Sequence, residues 1–368
     1  MIGFAEIDVE RGFEVSTLDF ERCNLFLAED NRYIRNVLDN LLRHLSFKNI
    51  TVAKDGAEAI DYFKIQGSAG HLSKSHAVDL VISDLVMSPV NGLLLLRWLR
   101  TAKESPNRFI PFIMLSGAAD NEYVHAARDL GVTEFLAKPF SAETVSKKIL
   151  EVINYPRQFV TTENYFGPDR RRQQMHAPPK ERRIKDENDV TVVYSADKVV
   201  KPEHPTDVWY FRLPNYLKEK AGGMGMSSPG ELPMNFLEEA EEQLQRDALD
   251  FTEWAHDYLK RLSRLCSRAL KKEEGRRKYF EEINVLAHEL RGQGGTFGYP
   301  LITTFGKMLY DTTGTRCRED DNAVEIVKAH IDAMRAVLRD KVSGDGGQIG
   351  RELLASLEAG VKRLTMTE

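Results

Sequence analysis

From about residue 23 the chain alternates short apolar runs with longer stretches in which apolar residues recur every three or four positions. The apolar runs lie at 23–28, 50–53, 78–83, 111–115 and 134–137. The helical stretches lie at about 31–45, 56–66, 92–103, 120–130 and 141–153. Strand and helix in strict alternation predict a parallel sheet with helices on both faces. From about residue 231 the period is helical throughout. Leu244, Ala248, Phe251, Ala255, Tyr258, Leu262 and Leu265 mark one face of a long helix. Its acidic start (Glu238, Glu239, Glu241, Glu242) and basic end (Arg268, Lys271, Lys272) complement the helix dipole. Further helices are expected at about 277–297, 300–313, 321–342 and 347–364, with loops short enough for an antiparallel bundle. The expected fold class is therefore α/β plus all-α. The expected parts are an N-terminal arm (1–22), an α/β domain (23–153), a linker (154–232) and a helical bundle (233–368).

The linker has a different composition. Between Asp169 and Lys185 there are seven Arg/Lys residues against two acids, and three prolines fall between Gly167 and Pro179. Such a stretch cannot bury a core and is expected to be extended. No aromatic residues alternate with its arginines to stack on bases, which argues against nucleic acid. It reads as a solvated linker or a basic contact for an acidic partner. The following stretch, 190–214, is β-like and is expected to form a hairpin; 221–233 reads as a flexible joint.

Composition narrows the class of protein. A net charge of −5 with 29% charged residues does not mark the molecule as an obvious nucleic-acid binder. Cys23, Cys266 and Cys317 are scattered, as expected in a reducing compartment. The first residues lack the pattern of a signal peptide, and no apolar run approaches the ~20 residues needed to span a membrane. A cytoplasmic protein is the expectation. Motifs of hydrolases, metalloproteases and NTPases are absent from the sequence. His71, His76, His125, His176 and His256 show no metal-ligand spacing, and His330 and Asp332 read as residues of the solvent side or of a helix contact.

In parallel α/β sheets ligands sit at the carboxyl ends of the strands. The first strand here ends in Glu29-Asp30, the third in Asp84, the fourth in Ser116 and the fifth in Lys138-Pro139. Three carboxylates in one crevice repel unless a cation joins them. Magnesium takes oxygen ligands and keeps waters that a phosphate oxygen can replace. A lysine and a hydroxyl beside it are the parts phosphoryl transfer needs: positioning and charge neutralisation.

In these residues, 23–153 resembles the receiver domain of bacterial response regulators. The resemblance implies a flavodoxin-like (βα)5 fold and phosphoryl acceptance on Asp84 from a sensor histidine kinase or phosphotransfer protein. It implies Mg2+ held by Asp30, Asp84 and the carbonyl of Val86, with Glu29 acting through water. It assigns Ser116 and Lys138 to the phosphoryl oxygens, Phe135 to the aromatic switch position and Lys138-Pro139 to a cis bond. Phe135 lacks a tyrosine hydroxyl, and the proline of "DLVMSPVNG" comes one residue later than is usual.

The stretch "AHELRGQGGTFG" (287–298) places a histidine among glycines, which weaken a helix by roughly 1 kcal/mol each relative to alanine. Ile283, Leu286, Ala287, Leu290, Gly294 and Phe297 share the core face. His288 points roughly 140° away from it at ~100° per residue. Gly292 and Gly295 share its outer face and Arg291 flanks it. The expectation is an exposed imidazole on a cleared surface, with Arg291 offering donors to a phosphoryl group. This resembles the histidine phosphotransfer domain, whose basic residue at plus three and glycines at plus four and plus ten correspond to Arg291, Gly292 and Gly298. Arginine stands where that family usually has lysine. "HELR" also begins the histidine box of sensor kinases, but Gly292-Gln293 departs from that box and no ATP-domain motif follows. The resemblance implies transfer between Asp84 and His288, or between His288 and a second receiver domain. The competing reading is a helical binding or dimerisation domain, as in a homodimer, governed by Asp84, with His288 inert.

Overall fold

The computed structural model describes residues 16–68, 77–117, 121–170, 191–193, 208–211, 213–222, 229–271, 275–314 and 317–366. Strands β2 (Asn24–Ala28), β3 (Asn49–Ala53), β4 (Leu80–Asp84), β5 (Phe112–Gly117) and β6 (Glu134–Lys138) form a parallel sheet in the order β3-β2-β4-β5-β6. They alternate with α1 (Arg32–His44), α2 (Gly56–Ser68), α3 (Gly92–Thr101), α4 (Asn121–Asp129) and α5 (Ala142–Asn154). Strand β4 is buried along its whole length, as its apolar run requires in a sheet covered on both faces. Asn31 caps α1 by accepting from the Tyr33 and Ile34 amides, and Ser141 and Thr144 form a capping box on α5. The strand order reverses between β2 and β4, so the crevice opens where Glu29, Asp30 and Asp84 lie.

The helical region comprises α7 (Met234–Lys271), α8 (Arg276–Gln293), α9 (Pro300–Thr312), α10 (Asp321–Arg339) and α11 (Gly347–Met366). Helix α8 stops at Gln293, short of the expected 297, because Gly294 abuts the Tyr299 carbonyl and Gly298 takes a left-handed φ of 81°. Among the described residues, no helix is long and apolar enough to cross a membrane.

The apolar core does not stop at the sheet. Leu25, Leu27, Ile82 and Leu115 on one sheet face pack with α1 and α5, and the same cluster continues through Phe251, Leu290 and Phe305 of the helical region. Tyr33 of α1 stacks on Trp254 of α7 at 5.6 Å, and its hydroxyl donates to the Asp247 carbonyl at 2.5 Å. Strand β1 (Ser16–Thr17) pairs in parallel with β11 (Gly230–Glu231), just before α7.

Between the two parts, β7 (Phe159–Thr161) and β8 (Phe166–Pro168) form a hairpin. Strand β10 (Trp209–Phe211) pairs antiparallel with β7 and parallel with β9 (Thr191–Val193). The hairpin expected over 190–214 is therefore corrected: its two strands run parallel, and the hairpin lies earlier. Phe109, Phe159, Phe166 and Phe211 cluster beneath this small sheet, with the Arg108 guanidinium 4.1 Å from the Phe166 ring centroid. A short helix, α6 (Tyr216–Lys220), follows. Most of the expected basic linker, 171–190, and 223–228 of the expected joint lie outside the described residues, as do 1–15 of the expected arm.

Candidate functional site

Sheet register assembles the site. Asp84 pairs with Leu115, Ser116 with Ala137 and Gly117 with Lys138, so Asp84, Ser116 and Lys138 reach the same end of adjacent strands. Glu29 and Asp30 follow β2 directly beside them. Oxygens of Glu29, Asp30 and Asp84 all lie within 4.8 Å of one another. The Lys138 ammonium is 3.0 Å from Asp84 Oδ2 and 3.2 Å from Glu29 Oε2. Asp84 Oδ1 accepts from the Leu85 amide at 2.8 Å, and Glu29 Oε1 from the Asn31 amide at 3.2 Å. Glu29 is fully buried, and Asp84, Ser116 and Lys138 are nearly so.

This packing is electrostatically strained. Burial and then Asp84 push the Glu29 carboxyl well above its usual range, and the same two causes raise Asp30. Burial alone would pull Lys138 down, but Asp84 and Glu29 outweigh it and raise it. Asp30 Oδ1 is buried with no hydrogen-bond partner. A cation among these carboxylates relieves both the repulsion and the orphaned oxygen. The donor set, all oxygen, suits a hard ion. On the loop after β4 the Ser88 backbone tempers the rise of the Asp30 carboxyl, and Val86 is exposed. Both Ser88-Pro89 and Lys138-Pro139 are cis; the first was not expected. Phe135, half-buried, packs on the other sheet face.

Helix α8 lies across this crevice. Asn31 Nδ2 donates to Glu289 Oε2 at 2.7 Å and to the Tyr258 hydroxyl at 3.1 Å. A Cβ added to Gly292 would sit 3.8 Å from Lys138 Cδ, and one added to Gly295 only 2.9 Å from Pro139 Cγ. The Phe140 amide donates to Thr296 Oγ1 at 3.3 Å. The glycines expected to clear space for another protein thus meet this chain's own Lys138 and Pro139. Helical geometry puts His288 on the same arc as Gly292.

His288 is half-buried, not exposed as expected. Its ring lies 5.7 Å from that of Tyr310, and Arg291 Nη2 is 2.9 Å from its Nδ1. Arg291 is itself buried, with its guanidinium 4.5 Å from the Tyr310 ring centroid. A guanidinium only donates, so Nδ1 accepts and the neutral ring carries its proton on Nε2. Burial, then Arg291 and Lys138, lower the imidazole pKa to about 3, which keeps it neutral. In this arrangement Arg291 holds the ring itself, with the donors expected for a phosphoryl group.

Sequence reasoning missed Glu289. Burial raises its carboxyl to about 7, against the pull of Lys138. Its position one residue from His288, and one turn before Gly292, was the available signal.

Residues 25–150 match the response regulator receiver domain family. The segment is similar over 129 residues to the chemotaxis protein CheY-3 of Vibrio cholerae, at 29% identity, covering 35% of this chain and 90% of that one. It is 30% identical over 133 residues to a 3',5'-cyclic-nucleotide phosphodiesterase, regA, of Dictyostelium discoideum, covering 36% of this chain but 15% of that one. Among solved structures it is similar to a response regulator receiver protein from Pseudomonas putida, with 29% identity, a TM-score of 0.28, and coverage of 34% and 98%. The segment is a receiver domain, a family that implies a phosphoacceptor role in two-component signalling and a histidine kinase or phosphotransfer protein as donor. The helical region lies outside the matched residues.

Proposed function

We propose that the protein is a phosphorelay component in which Asp84 accepts a phosphoryl group and the helical region is the receiver's partner within the chain, with His288 as second carrier. The observation that carries this is the seating of α8 on the crevice, with Gly292 over Lys138. Asp84 Oδ2 attacks phosphorus in line. A bond forms between that oxygen and phosphorus, the donor's N–P bond breaks, and the donor imidazole keeps the electron pair. Lys138 and the Ser116 hydroxyl hold the phosphoryl oxygens. Glu29, Asp30, Asp84 and the Val86 carbonyl would hold magnesium, which supplies charge neutralisation at those oxygens. Onward transfer requires Arg291 to release Nδ1 so that the ring proton passes from Nε2 to Nδ1; the Nε2 lone pair then forms the N–P bond as the Asp84 O–P bond breaks and the carboxylate keeps that electron pair.

The Arg291–His288 contact favours a second reading. In it, Asp84 governs the helical region and His288 carries nothing. The two readings part on one experiment. Full-length protein is treated with acetyl phosphate and magnesium, then cut at a protease site inserted between 170 and 190. Phosphate on the C-terminal half that requires both Asp84 and His288 supports the relay. Phosphate confined to the N-terminal half, even after a separate phosphorylated receiver is offered, supports the second reading.

A further inference from the structure

Where the β7–β8 hairpin meets the receiver beside α4 and β6, the two enclose a cavity of about 320 Å³. Val124 and Phe135 give it an apolar side. Three guanidiniums, those of Arg128, Arg157 and Arg170, also line it, and no carboxylate does among the described residues. Arg157 donates to the Thr133 carbonyl at 3.2 Å and to the Asp169 carbonyl, which fix its fork in place but carry no charge. The Arg170 guanidinium stacks over the Tyr165 ring, 4.2 Å from its centroid. Arg170 also pairs with Asp129 at 3.0 Å, but both side chains are exposed, and solvent weakens such a pair. Tyr165 feels a further guanidinium, that of Arg100. Arg100 is 2% exposed, and its Nη2 has no hydrogen-bond partner. Burial pulls its pKa down to about 9, the mark of a cation poorly compensated where it lies. Arg157, Tyr165 and Arg170 all lie beyond residue 150, where the match to the receiver family ends. The cavity is therefore something this chain adds to that domain.

We propose that this cavity binds a small phosphate monoester with a flat apolar body, a mononucleotide by class. Guanidinium forks match phosphate oxygens in pairs, and a phosphate offers more charge and more acceptors to several forks than a carboxylate does. A flat body stacks on aromatic rings and on guanidinium planes, which Phe135, Tyr165 and Arg170 supply. The volume lies at the small end of ligand pockets, which suits a single nucleotide rather than a nucleic-acid strand. The site shares no residue with the crevice of Glu29, Asp30, Asp84 and Lys138, so the two readings stand or fall separately.

The test is calorimetric titration of the full-length chain with AMP, GMP and UMP, and separately with inorganic phosphate and adenosine. At least one nucleotide is expected to bind at a single site, with phosphate and adenosine each weaker by about 10-fold or more. R128Q and R170Q change exposed arginines and are each expected to weaken that nucleotide roughly 10- to 100-fold, the range for hydrogen bonds to a charged group. V124W fills the cavity, keeps every arginine and is expected to abolish binding; melting temperatures report whether it folds, and the two arginine variants decide if it does not. Slower hydrogen exchange across 157–170 is expected in the bound state. Failure of all three nucleotides to bind the wild type overturns the proposal, as does affinity unchanged in both arginine variants or in folded V124W. Phosphate binding as tightly as a nucleotide would leave an anion hole and overturn the flat-body assignment. A poly-glutamate peptide that binds where no nucleotide does would assign the arginines to an acidic protein and overturn it too.

Discussion

Lys138 bonds Glu29 and Asp84 while its methylenes lie beneath Gly292, so one residue serves both the receiver site and the junction. Removing its ammonium leaves buried like charges facing each other. Lys138→Ala should cost about 3 kcal/mol of stability, as for breaking a buried ion pair. Magnesium should restore part of that loss, and thermal melts with and without the ion check this. His288 and Glu289 give the junction a pH dependence whose sign can be worked out. In the folded chain burial, then Arg291 and Lys138, lower the His288 pKa from 6.5 to about 3, so folding resists its protonation and stability falls as pH drops between those values. Burial raises Glu289 from 4.5 to about 7, so stability falls as pH rises between those values. The effects oppose each other between 4.5 and 6.5, leaving a neutral limb due to Glu289 and an acidic limb due to His288. NMR should show the His288 ring failing to titrate near 6.5 in the docked chain. His288→Gln should remove the acidic limb, and Glu289→Gln the neutral one.

At the scale of elements, the glycines of α8 and the turn after it are not equivalent. Gly292→Ala places a Cβ at ordinary contact distance, 3.8 Å from Lys138 Cδ, and gains helix propensity. It should raise stability by up to about 1 kcal/mol. Gly295→Ala meets the Pro139 ring at 2.9 Å, and a proline ring has no flexible end to swing aside. It should cost about 1–3 kcal/mol, as overpacking does, in denaturant unfolding. The sequence made the sheet and the long helices readable because strand and helix periods differ plainly over such lengths. It also made Asp84, Ser116 and Lys138 readable, because a parallel register carries strand ends to one edge. The small sheet was not readable. Its strands β7 and β10 are three residues long and pair from across the linker, so local pattern held no register information. The seat of α8 was hidden for a related reason. Amphipathicity names a helix's core face, but not what lies against the opposite one.

For the whole molecule, the decisive feature is that one apolar core runs from the sheet through α1 and α5 into the helical region. The pattern of α1 by itself points an inward face toward its sheet. Tyr33, near the start of that helix, meets Trp254 and Phe297, partners that no local pattern could name. Trp254→Ala should therefore lower stability by about 2–4 kcal/mol, somewhat under a fully buried large-to-small change, and should shift unfolding of the receiver as well as the helical region. Calorimetry with separate probes in each half checks whether both transitions move together. Under the proposed function, such coupling would let a phosphoryl group on Asp84 be felt in α8. The most direct measurement of the central claim is phosphate incorporation from acetyl phosphate, read by mass on peptides of the full-length chain. The account predicts one magnesium-dependent, alkali-labile label on Asp84, lost in Asp84→Ala and sharply reduced in Lys138→Ala. No label on the receiver segment, or a label that survives Asp84→Ala, would contradict it.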